Sequence, residues 1–292
     1  MQEIAPDVYV LDDYWGITTG AVIRESGTLL VDSPPCPQHS RLWRARCRGF
    51  SRGETMLAYL DAHPDRTLGS RMLEVPVVAH SATVDIFRRR AAIFRVNDNN
   101  RGHAWELCSQ IANMRWMPPQ MGFSYRLEIH WGGEPLVLEN HPGPQEGAVW
   151  VFVPDRRVVF VGDSVTVTQP PFLAEADIDA WLASLDLLLA PDYRDYFIVS
   201  GRDGLVPVAA IHHMQRFLTT VKTLAEGLKN AKPTDGEFVS AVAELLAMWP
   251  KPEDDAVARL YQRRLVHGLH TYLNGIAHPS HAKRHKRANN GE

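Results

Sequence analysis

Short apolar runs, several of them alternating with polar positions, recur through the first 200 residues of the chain. Runs of this length that are rich in valine and isoleucine, and bounded by Gly, Pro or Asp, predict β-strands. They form two groups on either side of an irregular segment, 91–125, in which methionine and aromatic residues are frequent. The predicted strands cover 8–11, 20–23, 28–32, 57–60, 74–80, 125–131, 135–138, 148–153, 158–161 and 196–200.

Helices are predicted between the strands and again after the last of them. Segments 40–52, 82–90 and 177–189 have helical patterns, and Pro207 is placed to begin a further helix. Strands and helices that alternate in two halves favour an α/β fold of the αββα sandwich type, with two sheets packed face to face.

The pattern divides the chain into three parts. Residues 1–217 are predicted to form the αββα domain, and residues 218–277 read as a helical C-terminal extension. Residues 278–292 are basic and His-rich without any apolar anchor, so we expect this tail to be disordered.

The composition is that of an ordinary globular protein, with 292 residues, 45% hydrophobic content and 22% charged content. A formal charge of −3 gives no electrostatic reason to expect a nucleic acid or a membrane as partner. Three cysteines, Cys36, Cys47 and Cys108, are too few and too scattered for a disulfide framework or a zinc knuckle. The sequence contains neither a signal-peptide pattern nor an apolar run of the roughly 18 residues that span a membrane, so we expect a cytoplasmic protein.

The loop after the run 57–60 concentrates side chains with catalytic chemistry. Asp61, His63, Asp65 and Arg66 lie within six residues, just before Thr67 and a predicted helix. In α/β proteins, loops at strand ends are the usual place for such groups. The stretch resembles the signature loop of the metallo-β-lactamase superfamily, His-x-His-x-Asp-His, which Thr-Leu-Gly often follows. Two of the four ligand positions differ, because Asp61 replaces the first His and Arg66 the last.

Further loops extend the resemblance from about residue 4 to about residue 217. Gln145 or Glu146 falls where the family has a metal-binding His before a Gly. Asp163, after Gly162, matches the family's Gly-Asp, whose carboxylate bridges two metals. Arg202 falls at the position of the family's final His. The order of these loops implies the metallo-β-lactamase fold. The resemblance also makes the segment 91–125 a candidate for the part that covers the substrate and sets specificity.

The resemblance implies zinc ions that lower the pKa of a bound water and so generate a hydroxide nucleophile. Arginine stays protonated and has no lone pair to donate, so Arg66 and Arg202 are not metal ligands. We expect both guanidinium groups to pair with Asp65 and Asp163 in place of a second cation. A dinuclear zinc centre is therefore not expected.

A single divalent metal at the first position remains open. Its ligands would be Asp61, His63, Asp163 and Gln145, or Glu146 in place of the glutamine. So many oxygen ligands shift the preference from zinc toward manganese, iron(II) or magnesium. The alternatives are a salt-bridge network that holds no metal and a metal-free catalytic site.

Two functions follow from these alternatives. The first is hydrolysis of a small ester, lactone, thioester or phosphoester. In it His63, Asp65 or Asp61 would activate water, while Arg66 and Arg202 would bind an anionic group or the developing oxyanion. The second is a non-catalytic member of the family that binds a small anionic molecule or a partner. A homo-oligomer is compatible with both.

Overall fold

The first of two β-sheets contains seven strands, and each strand pairs with its neighbours in sequence. A computed structural model describes residues 1–96, 101–109, 111, 113–231 and 235–277. The first three pairings in this sheet are antiparallel and the last three are parallel. Its strands are β1 (Gln2–Ala5), β2 (Val8–Tyr14), β3 (Ile17–Ile23), β4 (Gly27–Val31), β5 (Glu54–Ala58), β6 (Val77–His80) and β7 (Met121–Phe123).

The second sheet contains six strands, which are ordered β13-β12-β11-β10-β9-β8. Only β11 and β12 pair in parallel, and the other pairings are antiparallel. Its strands are β8 (Arg126–Ile129), β9 (Leu136–Asn140), β10 (Val149–Val153), β11 (Val158–Gly162), β12 (Phe197–Ser200) and β13 (Gly204–Val206).

In the described part of the chain, seven α-helices cover the sheets, and four of them come from its second half. They are α1 (Pro37–Arg48), α2 (Pro64–Thr67), α3 (Ser81–Arg89), α4 (Ile178–Leu188), α5 (Val208–Ala231), α6 (Asp235–Ala247) and α7 (Asp255–Ala277). Every predicted strand has a counterpart in the two sheets. The pattern missed β1, β7 and β13, which have three or four residues each and are too short for an alternation to stand out.

Side-chain alternation along β10 explains why the sheets form a sandwich. Val149, Val151 and Val153 face the other sheet and pack in the core between the two layers. Trp150 and Phe152 point the other way, into a core shared with the covering helices. A third core packs α1 and α3 on the outer face of the first sheet. The predicted αββα sandwich is confirmed.

The C-terminal helices share a core with the second sheet. Phe217, Leu218 and Leu265 pack in the same buried cluster as Trp181 of α4 and Val159 of β11. The predicted boundary after residue 217 falls inside α5, which continues without a break across it. The division into a domain and an extension stays a prediction, and the tail at 278–292 lies outside the described residues. Among those described, no helix combines the length and the apolar character that crossing a membrane requires.

One disulfide, Cys36–Cys108, joins the residue before α1 to the segment that follows Arg101. The third cysteine, Cys47, is buried and free. The bridge was not expected from the scattered cysteines, because their separation in sequence hides their proximity in the fold. It closes a loop of 72 residues and fastens the segment 101–108 to the first half of the sandwich.

We predict that a reducing agent lowers the stability of the protein. Opening a loop of this length gives the unfolded chain more conformational freedom, an effect of about 2 to 4 kcal/mol. Urea unfolding with and without reductant measures it. The Cys36→Ser/Cys108→Ser variant is the control, since its midpoint should match the reduced protein and should not respond to reductant. Equal responses of the two proteins would contradict the prediction.

Candidate active site

Four strand ends bring together three charged residues of the sequence analysis, Asp61, Asp163 and Arg202, and a fourth, Asp32, that it did not assign to the site. Asp32 follows β4, and Asp61 lies shortly after β5, its parallel neighbour. Asp163 follows β11, and Arg202 comes after β12, again a parallel neighbour. Parallel strands place their carboxyl ends at one edge of a sheet, and the two sheets meet at that edge. This geometry assembles a site from residues that are far apart in sequence.

The short helix α2 turns two charged side chains of the motif inward. His63 caps it, because its Nδ1 accepts a hydrogen bond from the backbone N–H of Asp65 at 3.2 Å. Pro64 occupies the first helical position, where its missing N–H is not needed. Asp65 and Arg66 follow and are both fully buried. The loop therefore delivers a carboxylate and a guanidinium group into the interior.

Arg66 binds carboxylates with each of its three guanidinium nitrogens. Nη1 donates to Asp32, and Nη2 donates to Asp163. Nε lies 2.8 Å from Oδ1 of Asp61, but its N–H is not directed at a hydrogen-bond acceptor. One cation thus links three carboxylates from both sheets, and its hold on Asp61 is the least well oriented.

Two glycines make room for this guanidinium group. A Cβ on Gly201 would lie 2.8 Å from Nη1 of Arg66 and 2.9 Å from the Cα of Gly162. Gly162 has φ +59°, in the left-handed region that glycine adopts without strain. The Gly-Asp and Gly-Arg pairs of the sequence are therefore explained by the close approach of Arg66.

Arg202 binds the remaining carboxylates of the site. Its Nε and Nη2 donate to the two oxygens of Asp163, both at 2.8 Å, as a bidentate pair. Nη1 donates to Oδ2 of Asp65 at 3.1 Å and to the carbonyl oxygen of Gly16 at 3.0 Å. The expected pairing of Arg66 and Arg202 with Asp163 is present. Asp65 pairs with Arg202 alone.

The guanidinium groups determine the protonation of two carboxylates. Burial alone would raise the pKa of Asp163, but Arg202 and Arg66 hold that pKa well below its usual range. Burial would likewise raise the pKa of Asp65, and His63 and Arg202 lower it instead. Both carboxylates are therefore ionised whenever the protein is folded near neutral pH.

Asp61 behaves differently, although it lies beside Arg66. Burial raises the pKa of Asp61 to about 7, and Arg66 offsets only part of that effect because Asp163 and Asp32 compete for the same cation. The poorly directed contact with Nε of Arg66 agrees with this direction. Asp61 thus titrates in the neutral range, whereas Asp65 and Asp163 do not.

The residues present do not fit the two-metal centre that the resemblance implies. Arg66 and Arg202 replace two ligands, and their charges already neutralise Asp65 and Asp163. A dication placed among the same oxygens would meet two guanidinium groups that cannot lose their protons.

The residues that would bind a single metal are already engaged in hydrogen bonds and ion pairs within the protein. Oε1 of Gln145 accepts from the backbone N–H of Ala62 at 3.0 Å, and Oδ1 of Asp61 accepts from that of His63 at 2.7 Å. Glu146, the other residue considered, is exposed, so Gln145 is the one that reaches the site. Asp163 binds the two arginines described above. The metal assignment to Asp61, His63, Asp163 and Gln145 stays a prediction.

One further group of ligand-type atoms lies nearby. His63, Asp65 and His103 have ligand atoms within 4.8 Å of one another. Oδ1 of Asp65 accepts from the backbone N–H of Trp105 at 2.9 Å, and its Oδ2 accepts from Arg202. Nη2 of Arg202 also lies 3.4 Å from Nδ1 of His63. A cation bound here would therefore displace a guanidinium group that already neutralises Asp65.

The sequence analysis missed three residues that complete the site. His103 lies in the candidate substrate-covering segment and its Nδ1 is 3.2 Å from Nε2 of His63. Phe172 packs against both histidine rings and under the guanidinium group of Arg202. Arg264, from α7, stacks on the same phenylalanine at 4.1 Å from its ring centroid. No spacing in the sequence connects these positions, which meet only through the fold.

A cavity of about 150 Å³ opens beside the charge network. Arg66 and Arg202 do not line it. The residues around it are Asp61, His63, Pro64, Arg90, Arg101, His103, Pro144, Gln145, Asp163, Phe172, Ala174, Glu175 and His267.

Comparisons with known proteins agree with this architecture. Residues 71–200 match the family model described as the metallo-beta-lactamase superfamily. A metallo-beta-lactamase from Pontibacter korlensis superposes with a TM-score of 0.57 at 16% identity, covering 75% of this chain and 97% of that one. The inverting sec-alkylsulfatase Pisa1 from Pseudomonas sp. superposes with a TM-score of 0.63 at 14% identity, covering 91% of this chain and 49% of that one.

This chain therefore spans about half the length of the alkylsulfatase. A comparison with curated protein sequences finds no match. At these identities the structural likeness shows the fold, and the resemblance drawn from the motifs is confirmed at that level.

We predict that Asp163→Asn strongly destabilises the protein. The substitution leaves Arg66 and Arg202 buried beside an amide in place of the carboxylate that binds both, at a cost of about 3 to 5 kcal/mol. Urea unfolding measures the change. Asp195→Asn is the matched control, because its pair with Arg157 is exposed and should contribute less than about 1 kcal/mol. Equal effects of the two substitutions would contradict the network.

We predict that Asp61→Asn changes how stability depends on pH. A carboxyl whose folded-state pKa is raised contributes stability below its unfolded pKa, and that contribution is lost as pH rises through about 7. The wild type should lose about 1 kcal/mol relative to the variant between pH 6 and pH 8. Paired urea titrations at the two pH values measure the difference. A pH-independent difference would mean that Asp61 does not titrate in this range.

Proposed function

We infer that this chain, which belongs by its fold to the metallo-β-lactamase superfamily, is a non-catalytic member that binds a small anionic ligand. One observation carries the proposal. Guanidinium groups of Arg66 and Arg202 saturate the carboxylates that would otherwise bind metal, so the charge balance of the site is met from within the chain. Without a metal, a bound water has no Lewis acid to lower its pKa.

The catalytic roles considered for Asp65, Arg66 and Arg202 find little support in this geometry. Asp65 is ionised and engaged by Arg202 and Trp105, which leaves no oxygen free to take a proton from water. The nitrogens of Arg66 and Arg202 all contact acceptors inside the network. Neither arginine is therefore placed to receive an anionic substrate or an oxyanion.

Hydrolysis of a small ester, lactone, thioester or phosphoester is the second candidate, and one observation favours it. Asp61 borders the cavity, and burial raises its pKa to about 7, a value suited to a general base near neutral pH. A panel should also include a β-lactam and a secondary alkyl sulfate, after the names of the structural neighbours. Turnover that disappears in Asp61→Asn would favour this candidate over the binding function.

The remaining expectations concern location and partners. The cytoplasmic location, the homo-oligomer and the lack of nucleic-acid or membrane partners stay predictions. The Cys36–Cys108 disulfide favours an oxidising compartment over the cytoplasm, where thiols are kept reduced. The redox state of these two cysteines in protein isolated from its native source measures which applies.

We predict that protein purified without chelator contains far less than one equivalent of any transition metal, and that a chelator leaves its melting temperature unchanged. The reason is that Arg66 and Arg202 already neutralise the carboxylates. Elemental analysis of wild type and His63→Ala, prepared side by side, measures the content. About one equivalent in the wild type that is lost in the variant would overturn the proposal and establish a metal centre.

A restored motif provides the matched positive control. The Asp61→His/Arg66→His/Arg202→His variant returns imidazoles to the three positions where the family motif has them. It should retain zinc, and chelation should lower its melting temperature. A variant that folds and still binds no zinc would show that something other than the two arginines excludes the metal.

A further inference from the structure

The cavity beside the network presents hydrogen-bond donors whose orientation is fixed. Gln145 is one, since its Oε1 accepts from the backbone N–H of Ala62 at 3.0 Å. This bond identifies which end of the amide is the carbonyl and leaves the Nε2 amino group for the cavity that Gln145 lines. Arg90 lies on the same side, because one of its nitrogens donates to the carbonyl oxygen of Ala62. The backbone of Ala62 therefore holds the side chains of Gln145 and Arg90 at the same wall of the cavity.

The two histidines supply a further fixed donor. Nδ1 of His63 accepts from the backbone N–H of Asp65, so the proton of a neutral His63 ring is on Nε2. Nε2 lies 3.2 Å from Nδ1 of His103 and donates to it. A neutral His103 then carries its own proton on Nε2. Burial lowers the pKa of both rings, to about 4 for His103, so both are neutral near pH 7.

The pair of histidines thus presents one N–H group, the Nε2–H of His103, to the cavity. Nε2 of His103 has no hydrogen-bond partner among the described residues, and His103 lines the cavity together with Gln145. Phe172 and Trp105 both stack with its ring and fix the plane in which the N–H lies. A ligand with an oxygen acceptor would satisfy both this N–H and the amide of Gln145.

Arg90 adds a charge without a counterion. No carboxylate among the described residues forms an ion pair with it, and its Nη1 is buried without a hydrogen-bond partner. The rings of Phe87 and Trp116, at 4.7 and 4.6 Å from its Cζ, compensate only in part for lost water. Burial lowers the pKa of Arg90, and the nearby carboxylates of Glu175 and Asp61 offset that effect only in part.

Size and charge limit what the cavity accepts. Its volume of about 150 Å³ corresponds to roughly five water molecules, so the ligand is small. Asp61, Asp163 and Glu175 also line it, and they disfavour a dianion such as sulfate or phosphate. A single negative charge answers Arg90, whose guanidinium group is buried without an ion pair among the described residues, whereas Arg101, which also lines the cavity, is exposed to solvent. A planar oxyanion can accept hydrogen bonds from several donors at once.

We propose that this cavity binds a small monocarboxylate, held by Arg90, Gln145 and the Nε2–H of His103. The inference rests on the proposed non-catalytic function and gives its ligand a chemical class and a set of contacts. It also moves anion recognition from Arg66 and Arg202, where the sequence predicted it, to Arg90, His103 and Gln145, of which only Gln145 was considered as a metal ligand. Arg66 and Arg202 contribute by holding the walls in place.

The test measures binding of sodium acetate and sodium propionate to the full chain by calorimetry and thermal shift, with chloride, sulfate and phosphate at matched ionic strength. We expect saturable binding of the carboxylates and none of sulfate or phosphate beyond chloride. Gln145→Glu keeps the acceptor for Ala62 and replaces the donor by a negative charge, so it should weaken binding roughly tenfold or more. Arg90→Met keeps an apolar chain between the two rings and should weaken it similarly.

Arg88→Met is the control, since Arg88 is exposed on α3, pairs with Asp85 and lies two residues from Arg90. Its affinity should equal that of the wild type. Carboxylate binding that survives in Gln145→Glu, saturable sulfate or phosphate in place of carboxylate, or no saturable anion at all would each overturn this inference. If the protein contains no metal, any of these three results overturns the carboxylate site and leaves the non-catalytic function standing. About one equivalent of bound metal would refute the non-catalytic function, whether or not carboxylates bind.

Discussion

The carboxylate of Asp163 is the interaction on which the rest of the site depends. It lies at the end of β11 and binds guanidinium groups that come from different sheets, Arg66 from the first and Arg202 from the second. Loss of this carboxylate would leave both guanidinium groups buried with part of their compensating negative charge removed. The sandwich is therefore tied together at its open edge by charge, while its interior is held by valines and leucines.

This arrangement shows how guanidinium groups balance the charge of carboxylates crowded at one edge of the sandwich. Several carboxylates lie close together at one edge of the fold, and the repulsion between their negative charges must be balanced by positive charge. A guanidinium group carries its positive charge permanently and offers five donors in a plane. Two such groups bind four carboxylates here, and the excess negative charge that remains is reduced because burial raises the pKa values of Asp61 and Asp32.

The sequence predicted much of the fold and the charged half of the site. Strand ends that carry Asp61, Asp163 and Arg202 could be aligned because each follows a recognisable apolar run, and arginine's inability to bind metal is a matter of residue chemistry. The positions of His103 and Arg264 could not be predicted, because each belongs to an irregular or distant segment whose place depends on tertiary packing. The disulfide escaped prediction for the same reason. The sequence could not decide whether Gln145 or Glu146 reaches the site. That depends on which of the two adjacent side chains faces inward, and a loop sequence does not reveal it.

The separation of the network's members along the chain has a consequence for biosynthesis. Asp65 acquires its cationic partner from Arg202, 137 residues later, and Arg264 closes the far side of Phe172 later still. At roughly 5 to 20 residues per second, the acidic loop leaves the ribosome several seconds or more before Arg202 can reach it. During that interval its Asp and His side chains are hydrated and open to any cation in solution. The loop therefore leaves the ribosome with Arg66 as its own guanidinium group, and the complete charge network can form only after Arg202 has been synthesised.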